Sequence, residues 1–306
     1  MTSAVLGSGR SRHPVWVDRH ARSRRRLLLL GVLVVAAWAP EAGVAQGVAA
    51  PTETTDHVWL DAEGAPLPFQ SDAEISDFLQ TARVVSRSDI AVGINRAVKL
   101  LLEKDGTRAH AVFRVVDIEE KQFQLGPRFY VRFRDSYRNE CAAHELARWL
   151  GLDSVPPAVL RVLEDRSGSV QIWVENTRDE ESPGFAPPNV RAWVKQVWDM
   201  NLFDNLILNV DRNAGNILVG QHYRLWLIDH TRAFQPVGDL LAPEKVVKIN
   251  RRAWDRLLSM TREDMQSVVG EFLDGGQVAS LMKRRELLIE HVEGLVAERG
   301  EGAVFY

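Results

Sequence analysis

Two turns limit what this 306-residue chain can build. The first is the loop Asp211-Arg212-Asn213-Ala214-Gly215-Asn216, made of polar and small residues. The second ends the apolar run Leu225-Trp226-Leu227-Ile228 with Asp229, thirteen positions after Asn216. Asn, Asp and Gly favour tight turns because their side chains bond the local backbone or tolerate left-handed conformations. Asp211, Asn216 and Asp229 are also short, hard oxygen donors held on a loop and a strand end, the class that divalent cations take. A fold that uses all three must bring a loop and a neighbouring hairpin to one place.

The surrounding periodicities supply that hairpin and its supports. Val190, Trp193, Val194, Val197, Trp198, Asn201 and Leu202 recur at three- and four-residue steps, so residues 190–208 predict a long helix buried on one face. Residues 217–219 and 225–228 predict a short hairpin through Gly220-Gln221-His222-Tyr223, and residues 246–299 read as helical. Further upstream, residues 46–70 form a lead-in without a strong period. Ser71-Asp72-Ala73-Glu74 then has the form of a capping box, followed by Ile75, Phe78, Leu79 and Ala82 at helical spacing. Strands begin at Val84. Val98, Leu100 and Leu102 share one face, Lys104-Asp105-Gly106-Thr107 turns the chain, and Ala109, Ala111 and Phe113 return alongside Val112 and Arg114. Residues 136–150 predict a helix with Cys141, Ala142, Leu146, Trp149 and Leu150 inward and Gly151 as its stop. Strands at 155–163 and 170–175 follow, joined by Asp165-Arg166-Ser167-Gly168.

The expected order is therefore at most three strands, a helix and two strands, then a proline-bearing linker at 180–189 and helices. This is an α+β chain in two lobes, a small β-rich one over 84–178 and a mostly helical one over 179–306, with 46–83 as a lead-in.

The front of the chain carries an address. Arg10 to Arg26 holds seven arginines and one acid, followed by the apolar run from Leu27 to Ala39 and the small residues Ala42-Gly43-Val44-Ala45. The apolar run is short for a bilayer span, and the pattern predicts an export signal over residues 1–45, with Ser23-Arg24-Arg25-Arg26-Leu27-Leu28 resembling a twin-arginine type; a retained signal anchor is the alternative. Cleavage there removes seven arginines and two acids, Asp18 and Glu41, taking the formal charge from −3 to −8. A domain that acidic repels phosphate backbones and anionic lipid, which argues against nucleic acid or a membrane face as partner.

The single cysteine, Cys141, excludes an internal disulfide and reads as a buried thiol; no His/Cys cluster has zinc spacing. Trp149, Trp193, Trp198, Trp226 and Trp254 lie on apolar faces and read as core. Leu281-Met282-Lys283-Arg284-Arg285, on a helix continuing through Glu286, Glu290 and Glu293, reads as a solvated face.

The stretch from Phe203 through Asp211-Arg212-Asn213-Ala214-Gly215-Asn216-Ile217-Leu218, followed by Leu225-Trp226-Leu227-Ile228-Asp229-His230, resembles the core of the atypical protein-kinase-like superfamily. Within it the likeness is to the phosphatidylinositol 3- and 4-kinase-like branch and to the bacterial and secretory-pathway kinases related to it. The resemblance spans roughly residues 85–300 and is specific only over Asp211 to Asp229. It implies ATP and Mg²⁺ or Mn²⁺ between two lobes, Asp211 as the catalytic-loop aspartate that deprotonates or positions the acceptor hydroxyl, and Asn216 and Asp229 as metal ligands. Asp229-His230-Thr231 stands where Asp-Phe-Gly is usual.

The same resemblance calls for a phosphate-binding lysine on the third strand and a helix glutamate to hold it. Ala111-Val112-Phe113-Arg114 puts an arginine in that slot, with Glu140, or Glu145 one face further on, as its partner. Lys99 is the alternative phosphate ligand and Lys121 a third. No Gly-x-Gly-x-x-Gly loop exists; Gly93 is the one candidate for a phosphate cover. The implied activity is γ-phosphoryl transfer from ATP to a hydroxyl of a lipid, protein or small molecule. A pseudokinase or nucleotide-binding scaffold, or an AMP transferase on the same fold, are the alternatives.

Overall fold

The computed structural model describes residues 57–90, 97–178 and 185–306. The export signal, Gly93 and part of the linker lie outside the described residues. The helix Asp72–Thr81 (α1) starts where Ser71 accepts the Glu74 N–H, while Glu74 Oε2 accepts from Gln70 N at 2.5 Å. Strands Arg83–Asp89 (β1), Val98–Lys104 (β2) and Thr107–Arg114 (β3) follow, and the β2–β3 turn uses left-handed Asp105 and Gly106, the conformation that an Asp-Gly hairpin requires.

Next comes a hairpin that the sequence reading did not contain, Asp117–Leu125 (β4) paired with Arg128–Ser136 (β5). Strand β4 is exposed or half-exposed along its whole length and carries no buried alternation, so it gives no period-two signal; Lys121 lies there, exposed. Five strands, not three, therefore precede the helix Arg138–Leu150 (α2), which ends at left-handed Gly151.

Strands Ala158–Leu163 (β6) and Arg166–Ile172 (β7) turn through left-handed Glu164 and Asp165. The turn is thus tighter than expected, and Gly168 is a strand residue. The five-stranded sheet runs β1-β2-β3-β7-β6, all neighbours antiparallel. One face packs Leu100, Leu102, Ala111, Phe113 and Ile172 against Ile75, Phe78 and Leu79 of α1. By register, the other face carries Lys99, Val112, Arg114, Ser169 and Gln171.

The second core is helical. It joins Val190–Ile207 (α3), the hairpin Ile217–Val219 (β8) with Leu225–Leu227 (β9), and the helices Arg251–Ser259 (α4), Arg262–Val269 (α5) and Gly275–Arg299 (α6). Residues 246–250 are not helical, so the helical stretch starts later than expected. Ala142, Leu146 and Leu150 of α2 belong to this core, not to the sheet's. Cys141 is free and buried. Trp226 and Trp254 are buried as expected, whereas Trp149, Trp193 and Trp198 are half-exposed.

The basic cluster at 283–285 is not a uniformly solvated face. Lys283 is solvated, but Arg284 is fully buried, with Nε on the Leu206 carbonyl at 2.7 Å and Nη1 on the carbonyls of Gln235 (3.2 Å) and Val237. A guanidinium can be interior where its donors meet carbonyls at a helix end and a loop. Burial lowers its pKa to about 9. Among the described residues no helix is long and apolar enough to cross a membrane.

Candidate active site

Arg114 ends β3 with its side chain buried beneath the sheet. Its Nε lies 3.8 Å from Glu140 Oε1 and 3.9 Å from Asp229 Oδ1, and its Nη1 is buried with no hydrogen-bond partner. Glu140, not Glu145, is therefore the helix partner; Glu145 bonds Arg148 at 2.6 Å. Close approach to β3 is possible because Gly168 on β7 has no Cβ, which would stand 2.4 Å from the Arg114 carbonyl and from the Phe113 ring.

Glu140 is wholly buried and joins three elements. Its Oε1 accepts the backbone N–H of His230 at 2.7 Å, its Oε2 lies 3.4 Å from His230 Nδ1, and Gln171 Nε2 donates to Oε2 at 3.4 Å. Burial alone would raise this carboxyl, but Arg114 and His230 outweigh it and hold the pKa at about 2. His230, the residue after Asp229, is thus a polar latch onto α2. Its Nε2 meets Arg212 Nη2 at 3.0 Å.

Arg212 ties the two turns together. It pairs with Asp204 at 2.9 Å and donates Nη1 to the carbonyls of Asn216 and Ile228, both at 2.9 Å. Asn216 donates Nδ2 to the Asp211 carbonyl at 3.0 Å, which fixes its amide and leaves Oδ1 as the donor atom for a ligand. Asp229 takes φ of +57°, a left-handed turn that costs a non-glycine residue roughly 1–3 kcal/mol. That turn carries the Asp229 carboxylate to Arg114 and the His230 N–H to Glu140.

Two further charged residues join the site. Arg232 places Nε 2.8 Å from Asp135 Oδ2 and Nη1 3.1 Å from Asp211 Oδ2. Burial raises the pKa of both Asp211 and Asp229; Arg232 and Arg114 respectively oppose that rise, while neighbouring carboxylates add to it. Asp135 and Arg232 are 97 residues apart, and neither carries a local motif that could have marked it. Lys99 shares the Arg114 face of the sheet, but its ammonium sits 4.2 Å over the Trp173 ring.

Among the described residues no three His, Cys, Asp or Glu side chains are grouped to hold a metal. The Ile228 N–H bonds the Asn216 carbonyl at 3.1 Å, so Asn216 and Asp229 lie on adjoining turns. One carboxylate and one amide oxygen are donors of the kind that Mg²⁺, which takes few protein ligands and keeps phosphates and water, would accept.

No family model matches the sequence, and no curated protein does. Solved structures do. That of hydra Fam20 with sugar aligns at TM-score 0.59 and 15% identity over 78% of this chain and 93% of that one. The Golgi casein kinase aligns at 0.59 and 16% identity over 76% of this chain and 77% of its own, and with Mn and ADP bound at 0.58 and 16%, over 76% and 78%. The fold is protein-kinase-like. In this kinase-like chain the sheet with α1 forms one lobe and α3 to α6 the other, and Arg114, Glu140 and Asp229 meet where α2 faces the sheet.

Proposed function

We propose that this chain is an ATP-dependent phosphotransferase that uses Mg²⁺ or Mn²⁺ and passes the γ-phosphoryl group to a hydroxyl. The observation that carries the proposal is Arg114: a buried guanidinium between two carboxylates, with one nitrogen lacking any partner, is a site prepared for an anionic oxygen. Residues 84–178 would act as the phosphate-gripping lobe and 179–306 as the lobe that carries the transfer loop.

In this reading Arg114 holds nucleotide phosphates and Glu140 holds Arg114 from behind. Asn216 and Asp229 are the metal ligands, and a bound cation supplies neutralisation of the phosphate charge. Asp211 positions the acceptor hydroxyl and takes its proton as the oxygen–phosphorus bond forms and the bond to the leaving ADP breaks. Orientation and electrostatics supply most of the rate. Lys99 is a further phosphate ligand if it leaves Trp173.

The acceptor is a sugar or protein hydroxyl before a lipid headgroup. Hydra Fam20 was solved with sugar, and another fold neighbour is a Golgi casein kinase, which favours the secretory-pathway relatives over the phosphatidylinositol-kinase-like branch. The arginine-rich start and the apolar run behind it support export of the protein beyond the cytoplasmic membrane.

The test is ATP consumption by purified residues 46–306 with Mg²⁺ or Mn²⁺, compared with Asp229→Ala. Equal turnover in the two ends the proposal. A metal-dependent thermal shift with ATP but no turnover favours a nucleotide-binding pseudokinase, and an acceptor gaining the mass of AMP favours adenylyl transfer.

A further inference from the structure

Asp211, the most open carboxylate of the site at 38% side-chain exposure, is already engaged by a cation. Arg232 reaches it with Nη1 at 3.1 Å while Nε is fastened 2.8 Å from Asp135, which is 4% exposed. The guanidinium is thus anchored at one end in the interior and presents its other end where the acceptor hydroxyl would lie.

The backbone carrying Arg232 is also fixed. The Thr231 carbonyl accepts from Ser136 N at 2.9 Å and Asn139 Nδ2 at 2.7 Å, and Asn139 Nδ2 also donates to the Ala233 carbonyl at 3.0 Å. Gln235 donates to the carbonyls of Arg134 (2.6 Å) and Arg232 (2.9 Å) and accepts from Arg134 N (2.8 Å). The end of β5 and residues 231–235 therefore move as one body. Arg212 cannot serve the same end, because its guanidinium is committed to Asp204 and to the Asn216 and Ile228 carbonyls. Asn213, two residues beyond Asp211, brings no charge, and its side chain bonds the Asp211 carbonyl and Gly215 N–H.

We propose that Arg232 is a catalytic cation: held by Asp135, it binds an equatorial oxygen of the phosphoryl group during its passage from nucleotide to acceptor. The assignment rests on the phosphotransferase reading. A hydroxyl within hydrogen-bond reach of Asp211 and in line with the phosphorus places the transferring group about 3 Å from the attacking oxygen, so a guanidinium bonded to the base stands within side-chain reach of that group. The acceptor oxygen bonds to phosphorus, the bond to the β-phosphate oxygen breaks, ADP leaves with the electron pair and Asp211 takes the proton. Arg232 stays protonated throughout and stabilises charge that is greatest midway. Asp135 is a positioning residue that acts through it.

The experiment uses the full chain and two measurements. In steady-state ATP hydrolysis with Mg²⁺, Arg232→Met is expected to lower kcat about 10³-fold while the KM for ATP moves less than about threefold, the scale of an arginine supplied to a phosphoryl transition state. Arg232→Lys recovers part of the loss, and Asp135→Asn lowers kcat in the same sense. In calorimetry, Arg232→Met is expected to bind Mg-ADP as the parent does, yet bind Mg-ADP with aluminium fluoride, a mimic of the transferring group, at least about 100-fold more weakly. Equal loss of both ligands, or of neither, overturns the assignment, as does unchanged kcat. Should Arg232→Met not fold, the same comparisons on Arg232→Lys decide. Wild-type protein without any turnover overturns the phosphotransferase reading and this assignment with it, whereas turnover that survives Arg232→Met overturns this assignment alone.

Discussion

His230 gives its backbone N–H to Glu140 Oε1 at 2.7 Å, so the residue after the left-handed turn at Asp229 and the helix facing Arg114 share one buried carboxylate. Removing that carboxylate strands the Arg114 guanidinium in the interior. Loss of one partner of a buried ion pair costs about 3–5 kcal/mol. Glu140→Ala is expected to lose stability on that scale in urea unfolding, and Glu140→Gln, which keeps the shape, less. A loss under about 1 kcal/mol in Glu140→Ala would show that the pair is not what holds the turn.

Gly168 lies in β7 against Arg114 and Phe113. A Cβ there would stand 2.4 Å from a backbone oxygen and from an aromatic carbon, and neither is a flexible side-chain end. Gly168→Ala should destabilise the sheet by about 3 kcal/mol, the upper range of overpacking, and weaken any nucleotide-induced thermal shift because Arg114 is displaced. An unchanged melting temperature would show that β3 and β7 yield easily.

Asp229 combines left-handed strain with a desolvated carboxylate whose pKa is raised. Asn tolerates that conformation better and carries no charge. Asp229→Asn is expected to unfold about 1 kcal/mol later than wild type and to lose metal-dependent nucleotide binding. A less stable variant would show that its ion pair with Arg114 outweighs strain and burial.

Asp199 on α3 has its carboxylate 2.7 Å from the Tyr306 hydroxyl. Burial lifts its pKa from 3.8 to about 6, against the hydrogen bonds from Tyr306 and Asn250. An acid raised in the folded state contributes stability that is complete below the unfolded value and is lost as pH rises through the folded one. Asp199→Asn should therefore gain on wild type between pH 4 and 7 by roughly 3 kcal/mol, and the gap should be level above pH 7. Urea titrations at four pH values check this; a gap that does not change with pH contradicts it.

Much of the fold is legible in the sequence where the chemistry is local. The Ser71 cap, the Asp105-Gly106 turn, the Gly151 stop and the 3.6-residue period of α3 each declare themselves within a few residues. The candidate residues Asp211, Asn216 and Asp229 are likewise visible as a spacing on two adjacent turns, and Arg114 as the last residue of an alternating strand.

What stays hidden is non-local. Strand β4 stands in solvent and needs no apolar face, and β5 buries Tyr130, Phe133, Asp135 and Ser136 without a period-two alternation. Arg284 looks like a surface charge between Lys283 and Arg285, because the carbonyls that accept from it belong to Leu206, Gln235 and Val237. Asp135 acquires a role only when residues 231–235 dock against β5.

The helix bearing Glu140 has its small apolar side, Ala142, Leu146 and Leu150, set into the same interior as α3 to α6. Swinging it outward to break the contact with Arg114 would tear a hole in the larger half of the molecule, at several kcal/mol for the leucines alone. The pairing of Glu140 with Arg114 is thus installed when the polypeptide folds, and undoing it costs what unpacking α2 costs.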